Sequence, residues 1–206
     1  MKVLLINGSP HEKGCTYTAL SLIAKELNDA GVDTEILHVG GKPVGGCIGC
    51  GGCAKGNGCV FGGVVNEAIE KAKTADAFVF GSPVHYASAA GNMASFMDRL
   101  AYAGGKYLAY KPAAVCCSAR RAGTTSTLDQ LVKYPQFFHM PLVNGSYWAM
   151  VHGSNPEQVL QDAEGCAVMQ ELGRNMAWLL RCIEAGKAAG IDHPQNPPRP
   201  MTNFIR

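Results

Sequence analysis

Four thiols set close together are the groups of this 206-residue chain best suited to chemistry: Cys47, Cys50, Cys53 and Cys59. Three cysteines at successive two-residue gaps, followed by a fourth, approximate the ferredoxin run that ligates a [4Fe-4S] cluster. Gly45, Gly46, Gly49, Gly51, Gly52, Gly56, Gly58, Gly62 and Gly63 surround them, so the backbone is free to wrap tightly around sulfur. A structural zinc more often takes two separated pairs, which makes iron-sulfur the better metal reading. A flexible loop of free thiols is the competing reading, and both stand at this point. The chain has nine cysteines, an odd count that argues against a closed disulfide framework. Cys116, Cys117, Cys166 and Cys182 lie in apolar runs and read as small core hydrophobes.

A second set of groups offers binding rather than covalent chemistry. An apolar run, Val3 to Ile6, passes through Asn7-Gly8-Ser9-Pro10 and Gly14-Cys15-Thr16-Tyr17-Thr18 into an amphipathic stretch. Ser9, Thr16 and Thr18 are neutral hydroxyl donors beside the N–H groups of a helix start, an arrangement suited to a phosphate monoester held without metal. Neither the mononucleotide P-loop pattern nor G-x-G-x-x-G occurs there. The plainer reading is a strand-to-helix turn that Ser9 and Thr16 merely cap. Further on, Gly81 to Ser88 combines backbone donors with a flat platform at Pro83, Val84, His85 and Tyr86. Ser118 to Thr125 adds a hydroxyl, two permanent cations at Arg120 and Arg121, and a flexible Gly123. Cradle, platform and rim together describe a site for a planar ring with a phosphorylated tail. Arg120 and Arg121 are solvated loop charges or a grip on the phosphate of a nicotinamide donor. His85 and His139 have no evident triad partner, so neither takes an acid-base role.

These loops need a frame, and the periodicity supplies one. Strands are predicted at 2–7, 34–39, 76–81, 112–117 and 140–144, and helices at 16–30, 64–74, 88–103 and 124–134. A long last helix starts at Asn155-Pro156, with Asn155 as N-cap, and runs to Gly186. Five βα units with right-handed crossovers predict an α/β fold with a five-stranded parallel sheet in the order 2-1-3-4-5. In that order the crevice lies between strands 1 and 3, where the loops 8–16, 81–88 and 117–124 converge. Tyr147 and Trp148 read as core aromatics under the last helix.

Composition bounds the rest. The chain is 47% hydrophobic and 17% charged, with a formal charge of +2, which suits one globular domain and excludes nucleic acid or an anionic membrane as the evident partner. No run approaches a membrane span or a signal-peptide core, and a cytoplasmic location is expected. The domain is expected over residues 1–186, with a Cys-rich insertion at 45–63 and a Pro-rich arm at 187–206.

Three motifs then resemble a known family. Gly8-Ser9-Pro10, Gly81-Ser82-Pro83-Val84-His85-Tyr86 with Phe96-Met97-Asp98-Arg99 downstream, and Ala119-Arg120-Arg121-Ala122-Gly123-Thr124-Thr125 are similar to the NADPH-dependent FMN reductases of the flavodoxin-like superfamily, in their iron-sulfur flavoprotein-like branch. The resemblance covers residue 1 to about 186. It implies a flavodoxin-like three-layer sandwich with FMN phosphate at Ser9, Thr16 and Thr18. The ring would lie against Pro83 to Tyr86, its pyrimidine edge near Ser118 to Gly123. His11, Cys15 and Tyr17 join the implied cofactor-binding set; relatives commonly have Arg at the position of His11 and Asn at that of Cys15. The cysteine spacing resembles that of iron-sulfur flavoproteins, although relatives with this spacing occur with and without a cluster. Two activities follow as implications: transfer from NAD(P)H to a flavin, quinone or other small acceptor, or a relay of electrons from ferredoxin through a [4Fe-4S] cluster and FMN. A small-molecule or protein acceptor and a homodimer or homotetramer are implied too. The segment 146–153 resembles one that nears the flavin, sometimes from a neighbouring subunit.

Overall fold

Strand β1 (Lys2–Asn7) shows why the fold is layered. Val3 and Leu5 face one side of the sheet, Leu4 and Ile6 the other, and all four are at most 1% exposed. A strand apolar on both faces needs cover on both. The computed structural model describes residues 1–198 and 200–203. The later strands are β2 (Asp33–His38), β3 (Ala77–His85), the two-residue β4 (Ser88–Ala89), β5 (Ala113–Ala119) and β6 (Met150–His152). The helices are α1 (Cys15–Asp29), α2 (Val64–Thr74), α3 (Gly91–Gly104), α4 (Thr124–Phe137), α5 (Pro156–Val159) and α6 (Ala163–Ala188).

The parallel strands run β2-β1-β3-β5-β6, and β4 pairs back antiparallel onto β3. Without that hairpin strand the path is the expected 2-1-3-4-5. One core lies between the sheet and α1 and α6, where Leu20, Ile23, Met169 and Met176 meet Val3 and Leu5. Gly173 of α6 lets the two helices approach closely, since a Cβ there would stand 2.7 Å from the Ile23 carbonyl oxygen. The other core sets Ile69, Phe96, Met97 and Leu100 against Leu4 and Ile6, with the Phe78 and Phe80 rings stacked 5.9 Å apart.

Several expectations need correction. The predicted strand at 140–144 forms only an isolated bridge between Leu142 and Ala113. Pro141 has no N–H to extend a ladder, and the chain reaches the sheet edge later, as β6. Tyr147 and Trp148 thus precede the last strand and are 51% and 61% exposed, packed edge to face on each other. They are not core aromatics. Strand β3 runs four residues past its predicted end at Gly81, so the second loop is largely strand and hairpin. The last helix is two: Asn155 caps α5 through the Gln158 N–H, and Asp162 then caps α6 through the Gly165 N–H. Cys116 and Cys117 are buried and Cys166 half-buried, but Cys182 is exposed on α6.

Beyond α6, His193 stacks on Tyr110, which also stacks on His139. Within the predicted Pro-rich arm, Arg199 and residues 204–206 lie outside the described residues. Among the described residues no helix is long and apolar enough to cross a membrane.

Candidate functional site

The loop after β1 is organised by a residue that ends the strand. Asn7 is fully buried; its Oδ1 accepts from the Ser9 N–H at 3.1 Å, and its Nδ2 donates to the Glu12 carbonyl at 2.9 Å. The Ser9 hydroxyl oxygen accepts from the His11 N–H at 3.1 Å, so its own proton is free to point outward. His38 Nε2 meets the Ser9 carbonyl at 2.8 Å. Helix α1 begins after Gly14 at the N-cap position, with no side-chain cap and no acidic residue in its first turn, which leaves its N–H groups and positive dipole end facing the loop.

Thr16 and Ser118 join the first and third loops. Their hydroxyls lie 2.8 Å apart and both residues are buried, so one donates to the other and one proton remains for a further acceptor. Thr18 instead donates to the Gly14 carbonyl at 3.2 Å. The Cys15 thiol reaches toward the Gly153 carbonyl at 3.6 Å; burial pushes its pKa up, which keeps it uncharged beside the loop. The His11 side chain is exposed, and Tyr17 turns to the outer face of α1, lining an open hollow with Lys13 and Ser21.

The platform is a hairpin under strain. His85 and Ser88 form its closing pair, while Tyr86 and Ala87 at the tip have φ of 50° and 57°. Two successive left-handed residues make a type I′ turn, normally given to Asn and Gly, and non-Gly residues there cost energy that their surroundings must offset. The offset comes from α4. Ser126 donates to the Ala87 carbonyl at 2.7 Å, and Gln130 Oε1 accepts from the Ser88 hydroxyl and the Ala89 N–H at 2.6 and 2.9 Å. Gly123, with φ of 97°, permits the close approach: a Cβ there would stand 2.7 Å from Ala87 Cα and 2.9 Å from a Val84 methyl. Pro83 and Val84 are half-buried, Tyr86 is fully exposed, and Arg120 and Arg121 are exposed on the third loop. Loops one, two and three therefore meet at one sheet edge: Ser118 bonds Thr16, Gly123 abuts Val84, and Pro83 pairs with Ser118 in register.

The second constellation is also assembled. Cys47, Cys50, Cys53 and Cys59 line a single cavity of about 270 Å³ together with Arg99 and the exposed Ile48, Phe61 and Tyr102. Its backbone is irregular, with left-handed turns at Gly49, Gly51, Gly56, Gly58, Gly62 and Gly63, so side chains of neighbouring helices hold it. Asn92 donates to the Gly40 and Lys42 carbonyls and accepts from the Val44 N–H. Asn66 clasps Cys59 by both backbone groups, at 2.8 and 3.0 Å. Arg99 donates to Cys59 Sγ at 3.2 Å.

Among the described residues no three His, Cys, Asp or Glu side chains converge closely enough to hold a single ion. The four sulfurs line a space instead. Four thiols around one cavity are the donor set that a [4Fe-4S] cluster takes, one thiolate to each iron.

Sequence reading missed Asn7, Gln130 and Arg99. Asn7 had a local signal, since Asn before Gly-Ser at a strand end favours a side-chain-to-backbone turn. Gln130 had no local signal and Arg99 stood only within the Phe96-Met97-Asp98-Arg99 motif, because their partners lie far away in the chain.

The sequence model of the NADPH-dependent FMN reductase family matches residues 1–155. An iron-sulfur flavoprotein of Methanocaldococcus jannaschii is 27% identical over 192 residues, 89% of this chain and 100% of that one. An NAD(P)H:quinone oxidoreductase from Methanothermobacter marburgensis superposes with a TM-score of 0.65 at 17% identity, covering 85% of this chain and 98% of the other. RosB, solved with a bound formylriboflavin phosphate intermediate, gives 0.68 at 13% identity and covers 100% and 94%. Fold, loop convergence and family match agree: the chain is a flavin oxidoreductase of flavodoxin-like fold and belongs to the NADPH-dependent FMN reductase family.

Proposed function

We propose that this protein is an iron-sulfur flavoprotein that passes electrons between a [4Fe-4S] cluster on Cys47, Cys50, Cys53 and Cys59, FMN in the crevice, and an acceptor. The observation that carries this reading is the single cavity lined by all four cysteines. The relative named as an iron-sulfur flavoprotein, aligned over 89% of the chain, supports it further.

The crevice residues fit FMN. The uncapped start of α1, the Ser9 hydroxyl and the proton left by the Thr16–Ser118 pair are donors for a phosphate. Neutral Cys15 adds no repulsion there. His11 lies exposed on the same loop, at a position where relatives commonly have Arg. Pro83, Val84, His85 and Tyr86 offer the ring a strand-borne rest, with Ser118 to Gly123 at its far edge. When bound, the cofactors supply the redox chemistry, hydride or single electrons at the flavin and single electrons at the cluster. The chain binds, orients and exposes the ring edge.

A second reading draws electrons from NAD(P)H. Arg120 and Arg121, exposed on the third loop, favour it, since guanidinium forks pair with phosphate. One anaerobic preparation tests both. Iron and flavin are quantified after reconstitution, and bound flavin is then challenged with NADH, NADPH or reduced ferredoxin. Near-stoichiometric cluster with fast reduction by ferredoxin supports the relay; flavin without iron rejects it. Steady NADPH turnover with a small acceptor supports the second reading. The proposal extends to a cytoplasmic homodimer or homotetramer, which light scattering of the holoprotein checks.

A further inference from the structure

Arg99 is a buried cation with no ion-pair partner among the described residues. It sits on α3 at 6% exposure, and among the described residues no carboxylate forms an ion pair with it; the adjacent Asp98 is engaged by the Tyr134 hydroxyl at 2.6 Å. Its donors go elsewhere. Nε donates to Cys59 Sγ at 3.2 Å, Nη1 to the Gly45 carbonyl at 3.3 Å and Nη2 to the Gly62 carbonyl at 3.0 Å, while the Phe61 ring lies 5.5 Å from the guanidinium. Each guanidinium nitrogen thus has one partner, but none of these partners neutralises the charge. A buried guanidinium is costly unless something negative offsets it, and Arg99 lines the four-cysteine cavity.

We infer that Arg99 is a positioning residue that supplies the counter-charge for an anionic iron-sulfur centre in this cavity and raises its reduction potential. The inference rests on the cluster reading above. Four thiolates around a [4Fe-4S] core carry net negative charge, and one-electron reduction adds one more. A fixed cation and an N–H donor on one ligating sulfur stabilise the reduced form more than the oxidised form. The same side chain closes the loop at both ends, because Gly45 and Gly62 bracket all four cysteines. Lysine would keep the charge but cannot reach three acceptors from one planar fork.

The test uses anaerobically reconstituted full-length protein and its Arg99→Gln and Arg99→Lys variants. Iron, sulfide and flavin are quantified, and the cluster is titrated with dithionite as the electron donor through mediator dyes. Arg99→Gln should retain flavin and shift the midpoint to more negative potential. The expected size is about tenfold in the reduced-to-oxidised ratio at fixed ambient potential, about 59 mV for one electron. Arg99→Lys should fall between Arg99→Gln and the parent. Unchanged midpoints in variants that hold full iron would overturn the inference while leaving the cluster reading intact. Loss of iron from both variants with flavin retained would also overturn it, reducing Arg99 to a structural tie. Absence of iron from the parent itself would sink the cluster reading, and the inference with it.

Discussion

The sheet-edge crevice and the cysteine cavity are held in opposite ways. The crevice is built on strand ends: β1, β3 and β5 deliver three loops to one edge, and buried polar contacts such as Thr16 with Ser118 tie them together. The cavity hangs between β2 and α2 on an irregular, glycine-rich run, and Asn92, Asn66 and Arg99 hold it from neighbouring helices. A sheet edge is rigid because each strand is locked by its neighbours. A loop tied by side chains acquires its final shape from whatever fills it, as in small metal-binding folds where ligation and ordering are coupled. The two regions should therefore respond to different perturbations.

The largest effect separates them outright. Cys47→Ala should reduce iron after reconstitution from about four per chain to below one, while FMN affinity stays within about twofold; a comparable loss of flavin would show that the regions are not independent. The next contrast sets a crevice glycine against a cavity glycine. Gly123→Ala forces a side chain into φ of 97° and onto Ala87, at a cost of about 1–3 kcal/mol, and should weaken FMN binding. Gly45 has nothing within 4 Å of an added Cβ, so Gly45→Ala should stay within about 0.5 kcal/mol. Thermal melts with and without FMN read both; equal effects would break the comparison.

The smallest effect tests the frame itself. Glu35 on β2 bonds Lys2 of β1 and Lys71 of α2, each at 2.6 Å, and these partners, Lys2 first, hold its carboxyl below the usual range. A depressed carboxylate stabilises the fold above its unfolded pKa of about 4.3 and loses that contribution as pH falls through its folded value. Glu35→Gln should therefore lower Tm at pH 7 by no more than about 4 °C, the value for about 1 kcal/mol in a chain this size. The difference from the parent should begin to shrink as pH falls below the unfolded value of about 4.3 and close once pH is below the folded one, with both sites unchanged. A gap that widens with acid would contradict this account.

How much was legible follows from how local each signal is. Strand β1 was plain because Val3 to Ile6 are apolar without interruption, as a central strand requires. The run at 140–144 looked like a strand for the same reason, yet Pro141 breaks the ladder, and Met150 to His152 are too few to signal a strand by period. The hairpin at 86–87 was invisible because Tyr and Ala are poor type I′ residues; it exists because Ser126 and Gln130 hold it. Arg99 stood in the sequence only as the last residue of a family motif, and nothing local tied it to Cys59, 40 residues earlier.

The amino-acid pattern thus determined the layered α/β frame, the three loops at one sheet edge and the four-thiol run, since each rests on periodicity or spacing within a short window. Tertiary structure alone decided that the four thiols share one cavity, that Thr16 meets Ser118, and that the Arg99 guanidinium lies against Cys59. Those contacts join residues far apart in the chain, and their energies exist only once the sheet has brought the loops and helices together.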